Sequence, residues 1–125
     1  MSDVERVFTV EEANAMLPDL SARLARIREA RRVVIETARL VRDRVDADGG
    51  GVAGEPAYFD AARTLRAELE HLTEQDVVLR DPETGLVDFL GEVEGRRVWL
   101  CWRLGEERVT HYHELDSGFV GRKPL

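Results

Sequence analysis

Apolar residues recur at alternating spacings of four and three along most of the first half of the chain. One stripe runs from Leu20 to Val45, and a second runs from Tyr58 to Leu79. This spacing keeps the side chains on one face of an α-helix. A glycine-rich stretch at 46–56 separates the two stripes and cannot hold a helix. The pattern therefore predicts an antiparallel helical hairpin over about residues 10–79.

Three residues shape the expected start of this hairpin. Thr9 and Glu12 have the spacing of a capping box, in which each side chain accepts a hydrogen bond from the other residue's backbone N–H. Pro18 then interrupts the helical pattern, because proline has no N–H to donate. It either kinks the helix or begins a new one, and we expect a short lead helix followed by a long helix that starts at Pro18.

The pattern changes in the second half of the chain, where β-branched and aromatic residues alternate with polar ones. Three such segments are separated by Glu94-Gly95 and Gly105-Glu106, pairs that suit two-residue hairpin turns. They predict a three-stranded antiparallel β-meander over about residues 85–116, followed by a C-terminal tail at 117–125. The 125 residues then form a single domain of the α+β class.

Two-residue turns fix which strand residues share a face of the sheet. With these turns, one face is nearly all apolar and is expected to pack on the helices, whereas the other face is mostly polar. The apolar face would hold Val87, Phe89, Val98, Leu100, Trp102, Val109, His111 and His113. The polar face would hold Asp88, opposite Cys101, and also Glu114. An apolar island of Leu90, Trp99 and Tyr112 on this face is typical of a protein interface.

Two histidines in the third strand suggest a metal site. His111 and His113 are two positions apart, so both point to the same face of a strand. Such a pair can supply two ligands to zinc or iron, and a helix residue would add the third. We select Glu36 for that role, with Glu68 and His71 as alternatives. The competing interpretation is that both imidazoles only hydrogen-bond to backbone or carboxylate groups.

Composition narrows the range of partners and compartments. The net charge of −7 argues against general nucleic-acid binding and against attraction to anionic lipid. The sequence has no signal-peptide pattern and no apolar run of membrane-spanning length. Cys101 is the only cysteine, which excludes an intrachain disulfide and fits a reducing cytosol. We therefore expect a cytoplasmic protein that does not bind nucleic acid or membranes.

Two functions from different classes remain open. The apolar stripes exceed what one hairpin can cover, which favours a homodimer and an interaction module without catalysis. The alternative is a small metalloprotein in which an open coordination position activates water or binds oxygen. Cys101 would lie on the face opposite to the histidines, so no catalytic Cys–His pair is expected. Neither hypothesis identifies a small-molecule substrate.

The C-terminal tail contains one large apolar residue and one arginine. We expect Phe119 to be tucked under the sheet or into a subunit interface, and Arg122 to pair with Glu114 or Asp116. Burial of the phenylalanine should contribute about 1.5–3 kcal/mol, whereas an exposed ion pair should contribute less than about 1 kcal/mol. The sequence thus predicts that Phe119→Ala costs more stability than Arg122→Ala.

Four segments together carry a resemblance to a known family. They are FTVEEANAMLP near the start, GLVDF at 85–89, CWRLGE at 101–106 and HELDSGFVGRKPL at the end. They resemble the short bacterial proteins grouped as domain of unknown function 2203. The resemblance implies an uncharacterised cytoplasmic protein and brings no activity with it. The family pattern, an aromatic residue and His-Glu followed by Gly-Phe and Gly-Arg, corresponds here to Tyr112, His113, Glu114, Gly118, Phe119, Gly121 and Arg122, and does not include His111.

Overall fold

A computed structural model describes residues 6–48 and 56–125, as two helices followed by one sheet. The strands are antiparallel and lie side by side in chain order. The α+β class is confirmed, but the sheet has five strands where three were expected. The elements are α1 (Val10–Asp48), α2 (Pro56–Glu74), β1 (Val77–Asp81), β2 (Leu86–Val93), β3 (Arg96–Arg103), β4 (His111–Glu114) and β5 (Lys123–Pro124).

The first helix begins where the capping box predicts. The backbone N–H of Thr9 donates to Glu12 Oε1 at 2.8 Å, and the N–H of Glu12 donates to Thr9 Oγ1 at 3.0 Å. The prediction of a new helix at Pro18 is wrong, because α1 runs through Pro18 without a break. An interior proline costs a helix about 3 kcal/mol, and the residues on both sides of Pro18, Leu17 and Leu20, are buried in the core. Their packing offsets that cost.

The two helices run antiparallel, as expected. Arg23 and Arg26 of α1 both contact Glu68 of α2, with N–O distances of 2.7 and 2.9 Å. The side chains of α1 that are buried among the described residues end at Ala30. Just past that point, Arg31 forms an ion pair with Glu83 in the turn after β1. The stretch at 46–56 was expected to hold no helix, but α1 extends to Asp48 and α2 starts at Pro56. Residues 49–55 lie outside the described residues.

The end of the hairpin was placed too late in the sequence analysis. Helix α2 ends at Glu74, and Asp76 adopts a left-handed backbone conformation with φ of 61°. The next residues form β1, which pairs with β2 through Val77 opposite Phe89. Residues 77–79 continued the helical spacing, so periodicity alone assigned them to the helix. Their β-branched run instead favours a strand, and it adds an edge strand to the sheet.

The first hairpin turn follows the prediction. Glu94 and Gly95 both have positive φ, 52° and 80°, as a two-residue type I′ turn requires. The pairing that results includes Asp88 with Cys101 and Leu90 with Trp99, as expected. All six apolar residues assigned to the helix-facing side are buried in one core, namely Val87, Phe89, Val98, Leu100, Trp102 and Val109.

The second hairpin turn was predicted wrongly. Strands β3 and β4 are joined by residues 104–110 and not by the pair Gly105-Glu106. As a result, Val98 pairs with Glu114 where His113 was expected. A shift of one residue moves every side chain of a strand to the other face. His111 and His113 therefore lie on the face away from the helices, with Cys101, whereas Tyr112 and Glu114 lie on the helix side.

None of the helices in residues 6–48 and 56–125 is long and apolar enough to cross a bilayer. We call the face of the sheet that lies away from the helices the outer face.

Candidate metal centre

Three neighbouring strands bring a carboxylate, a thiol and an imidazole together on the outer face. Asp88 comes from β2, Cys101 from β3 and His113 from β4, and one donor atom from each lies within 4.8 Å of the others. All three are buried, with 1%, 1% and 3% of their surface exposed. We call this group the Asp–Cys–His cluster. A buried group of three such side chains requires partners that compensate for the loss of water.

The C-terminal tail provides much of the cover over this face. Strand β5 pairs with β4, through Lys123 opposite Tyr112, and draws the tail back along the sheet. Arg122 then forms two hydrogen bonds with Glu106, the shorter at 2.7 Å, and its positive charge acts on the thiol of Cys101. Phe119 lies beneath two guanidinium groups, 4.4 Å from that of Arg122 and 5.2 Å from that of Arg103. The polar cluster is thus enclosed between the sheet and the tail.

One contact of His113, between its Nε2 and the carboxylate of Asp88, requires a compensating proton or metal ion. Its Nδ1 lies 3.0 Å from the backbone carbonyl of Glu114, which can only accept, so Nδ1 carries a hydrogen. In a neutral ring, Nε2 then presents a lone pair. That atom lies 3.0 Å from Asp88 Oδ2, which already accepts a hydrogen bond from Arg80 Nε at 2.8 Å. A lone pair facing a carboxylate is repulsive, so a proton or a metal ion must compensate.

The carboxylate of Asp88 also lacks a hydrogen-bond donor that its burial requires. Its other oxygen, Oδ1, is buried and has no hydrogen-bond partner among the described residues. A buried carboxylate oxygen without a partner is costly, by about 1–3 kcal/mol or more. The carboxylate, which belongs to the Asp–Cys–His cluster, therefore has an unused lone pair. Such an atom is available to bind a cation.

The surroundings of Cys101 do not favour a nucleophilic thiol. Burial, and then the negative charge of Asp88, raise the pKa of its thiol to about 11, although the guanidinium of Arg122 opposes this rise. The thiol would therefore be protonated and unreactive at neutral pH in the absence of a metal. Nδ1 of His113 donates to the carbonyl of Glu114 and Nε2 faces Asp88, so among the described residues the imidazole forms no hydrogen bond with Cys101.

The donor set fits zinc in type and in spacing. Zinc bonds of about 2.0–2.3 Å at tetrahedral angles place ligand atoms about 3.3–3.6 Å apart. The three donor atoms of the cluster lie within 4.8 Å of one another, and His113 Nε2 lies 3.0 Å from Asp88 Oδ2. Shifts of a few tenths of an ångström to about 1 Å would bring all three into range. The hydrogen bond from His113 Nδ1 to the carbonyl of Glu114 also fixes the orientation of the imidazole ring, as is usual for metal-binding histidines.

Of the ligands selected from the sequence, the structure brings only His113 into the cluster. His111 lies on the same face but bonds to Thr110 Oγ1 through Nδ1, and it is not one of the three grouped donors. Glu36 forms an ion pair with Arg32 on α1, at 2.6 Å. Glu68, one of the alternatives, is engaged by arginines of α1.

The residues assigned to an interface have different surroundings from those expected. Trp99 stays on the outer face with Arg80 stacked 4.9 Å from its ring, whereas Tyr112 packs against the core on the helix side. Glu114 forms two hydrogen bonds with Arg96, which lower the pKa of its carboxyl to about 2. The expected pairing of Arg122 with Glu114 or Asp116 is wrong, because its partner is Glu106.

These contacts change the expectation for the tail. Only 17% of the Arg122 side chain is exposed, and its removal would leave the carboxylate of Glu106 without its ion-pair partner. We now expect Phe119→Ala and Arg122→Ala to destabilise the protein by similar amounts, about 1–2 kcal/mol each. Urea unfolding of both variants measures this. A loss at least three times larger in Phe119→Ala would support the sequence-based expectation instead.

Sequence reasoning missed three residues of this site. Asp88 and Cys101 were placed opposite each other correctly, but the histidines were assigned to the other face. The polar run GEERVT at 105–110 was the available signal that the connection is longer than two residues. Arg80 was missed because the hairpin was predicted to continue to residue 79, so that β1, which contains Arg80, was not predicted as a strand.

The comparisons with known proteins give a family but no activity. A family model described as "Uncharacterized conserved protein (DUF2203)" matches residues 6–125, which confirms the resemblance noted from the sequence. No curated protein and no solved structure matches the chain. The matched range contains the whole Asp–Cys–His cluster and the tail that covers it.

Proposed function

We propose a metal-binding function for this chain, which belongs to the DUF2203 family of uncharacterized conserved proteins. The ion is zinc, and its ligands are Asp88, Cys101 and His113. The observation that carries the proposal is the contact between the lone pair of His113 Nε2 and the carboxylate of Asp88, beside a carboxylate oxygen that has no partner among the described residues. A divalent ion between these atoms satisfies both groups.

A proton on His113 would also remove the repulsion, so the third donor decides between the two explanations. A buried imidazolium–carboxylate pair needs no sulfur atom beside it, whereas a thiolate is a preferred ligand of zinc. Sulfur also favours zinc over the iron considered from the sequence, because iron sites of the two-histidine type use two imidazoles and a carboxylate. A reduced thiol ligand suits the cytoplasm, where we propose that the protein acts.

Three protein ligands leave one position of a tetrahedral zinc ion open. Structural zinc sites normally use four protein ligands, whereas catalytic sites use three and keep the fourth for water or substrate. The proposed site is therefore of the open type, and zinc there would supply Lewis acidity. Arg80 would hold the carboxylate of Asp88, and the carbonyl of Glu114 would hold the imidazole of His113.

Metal loading of the full chain tests this proposal. Protein stripped with a chelator and supplied with Zn²⁺ should retain close to one ion per chain and unfold at a higher temperature. Loading with Co²⁺ should give a thiolate-to-cobalt absorption band that Cys101→Ser lacks. Less than ~0.1 zinc per chain, with no thermal shift, would contradict the proposal and leave the protonated His113 as the explanation.

A second proposal concerns the part of the helical hairpin that extends past the core. Val34 and Val41 continue the apolar stripe of α1 but are not fully covered, and Ile35, Leu40 and Phe59 are exposed. We propose that a second copy of the chain covers this surface in a twofold dimer, because a self-complementary contact lets each copy bury the same stripe. The dimer would be an interaction role that is compatible with metal binding.

The mass in solution tests the dimer. Light scattering at tens of micromolar should give about twice the mass of a 14.2 kDa chain. Leu40→Glu should shift the population toward monomer, since it places a charge in the proposed contact, whereas Leu125→Glu, at the other end of the molecule, should not. A wild-type protein that is monomeric under these conditions would exclude the dimer.

A further inference from the structure

Two members of the Asp–Cys–His cluster, Asp88 and His113, line a cleft of about 390 Å³. One wall is the outer face of the sheet and carries Arg80, Asp88 and His113. The other wall is the start of the C-terminal tail, with Asp116, Ser117 and Phe119. Ligand pockets commonly span about 300–1,000 Å³, so this cleft fits a metabolite-sized molecule. Two of the three proposed zinc ligands line it.

Arg80 is held in a position from which it can bind a ligand in this cleft. Its Nε donates to Asp88, and its guanidinium lies over the ring of Trp99. These contacts fix the plane of the guanidinium. Among the described residues, none accepts a hydrogen bond from its two terminal nitrogens, and 42% of the side chain is exposed. The arginine therefore retains donors that suit a carboxylate or phosphate.

The charges around the cleft also favour an anion. With zinc bound to a carboxylate and a thiolate, the ligated site is neutral, and Arg80 adds one positive charge. Asp116 brings a negative charge to the rim, but it is exposed, and water and salt weaken its effect. Leu86, Leu115 and Phe119 supply apolar surface beside these groups. The lining thus combines a cationic end with an apolar wall.

We propose that this cleft binds a small oxyanion, a carboxylate or a phosphate group of a metabolite, at the open position of the metal and at the guanidinium of Arg80. The inference rests on the proposed zinc site and goes further, because it names the class of molecule that the site takes. The apolar wall would hold the remainder of that molecule.

The test uses the full chain loaded with Co²⁺, whose absorption reports the metal and its fourth ligand separately. Sodium acetate and inorganic phosphate are titrated in turn, with sodium chloride at equal ionic strength as the reference. At least one of the two should change the cobalt spectrum in a saturable way, and chloride should not. Acetate alone would identify a carboxylate ligand, and phosphate alone a phosphate.

Two variants assign the binding to the cleft. Arg80→Gln should weaken the titrated anion by on the order of 10- to 100-fold, the loss expected for a charge-assisted hydrogen bond. Arg96→Gln is the matched control, because Arg96 is equally exposed, at 44%, and also binds a carboxylate, but on the helix side of the sheet. It should leave the affinity unchanged. If Arg80→Gln does not hold cobalt, Arg80→Lys keeps the charge and should weaken the anion by less.

The outcomes separate the two proposals. A protein that shows the thiolate–cobalt band but no saturable response to either anion would overturn the oxyanion site and leave the metal site standing. Equal affinities in wild type and Arg80→Gln would overturn it as well. A protein without the cobalt band would remove the metal site, and this inference with it.

Discussion

Replacing His113 with alanine should lower the affinity for zinc by at least about 100-fold. Loss of a residue that only supports a metal ligand typically costs 10- to 100-fold, and His113 is proposed as a ligand itself. The remaining pair, Asp88 and Cys101, would then hold the ion with two protein atoms. Competition with a chromophoric chelator measures the two affinities directly.

His111→Ala is the matched control for that experiment. His111 has the same residue type, strand and face, but its Nδ1 bonds to Thr110 Oγ1. Its removal should change the zinc affinity by less than about threefold, a small effect for a residue outside the ligand set. Equal losses in both variants would instead support the two-histidine chelate considered from the sequence. An unchanged affinity in His113→Ala would contradict the Asp–Cys–His cluster as the site.

Trp102→Ala should produce the largest loss of stability of any single substitution named here, about 3–5 kcal/mol. Trp102 heads the largest fully buried side chains of the described residues, and its Nε1 donates to the carbonyl of Glu106 at 3.0 Å. The truncation opens a cavity in the core and leaves that carbonyl without its donor. Since small domains have only about 5–15 kcal/mol in total, the free energy of unfolding in urea should fall by a large fraction.

Trp99→Ala separates burial from the loss of an indole. Trp99 is on the same strand but on the outer face, where it is partly exposed and stacks on Arg80. Its truncation should cost about 1 kcal/mol. Trp102→Phe, which keeps an aromatic ring and loses the hydrogen bond, should fall between the two and remains measurable if Trp102→Ala does not fold. Equal costs for the two alanine variants would contradict the assignment of faces.

The sequence identified most of the core because one turn is encoded locally. Glu94-Gly95 supplies two residues that tolerate positive φ, so the β2–β3 register and five of the six buried apolar residues, all except Val109, followed from a short motif. The next turn carried a similar pair of letters, Gly105-Glu106. There, however, Trp102 Nε1 and the backbone N–H of Arg103 both bond to Glu106 and draw that residue back toward β3.

These contacts within the connection decided which face of the sheet the functional residues occupy. They lengthen the connection, so that His113 lies beside Asp88 and Cys101 and not against the helices. Alternation along one strand gives the spacing of its side chains but not the face they occupy, which depends on the neighbouring strand. The candidate site could therefore be listed from the sequence only in part, through His113.

The end of the buried stripe of α1 at Ala30 also has a consequence for how the molecule opens. The helix has 39 residues, about 58 Å of length, and its core-facing side chains lie in the first part. Amide hydrogens near Leu24 and Ile27 should exchange with solvent only when the domain unfolds, whereas those near Val34 and Leu40 should exchange through local opening of the hairpin arm. The arm and the metal-bearing sheet would then be separate cooperative units, so that the arm can dock or detach without disturbing the cluster.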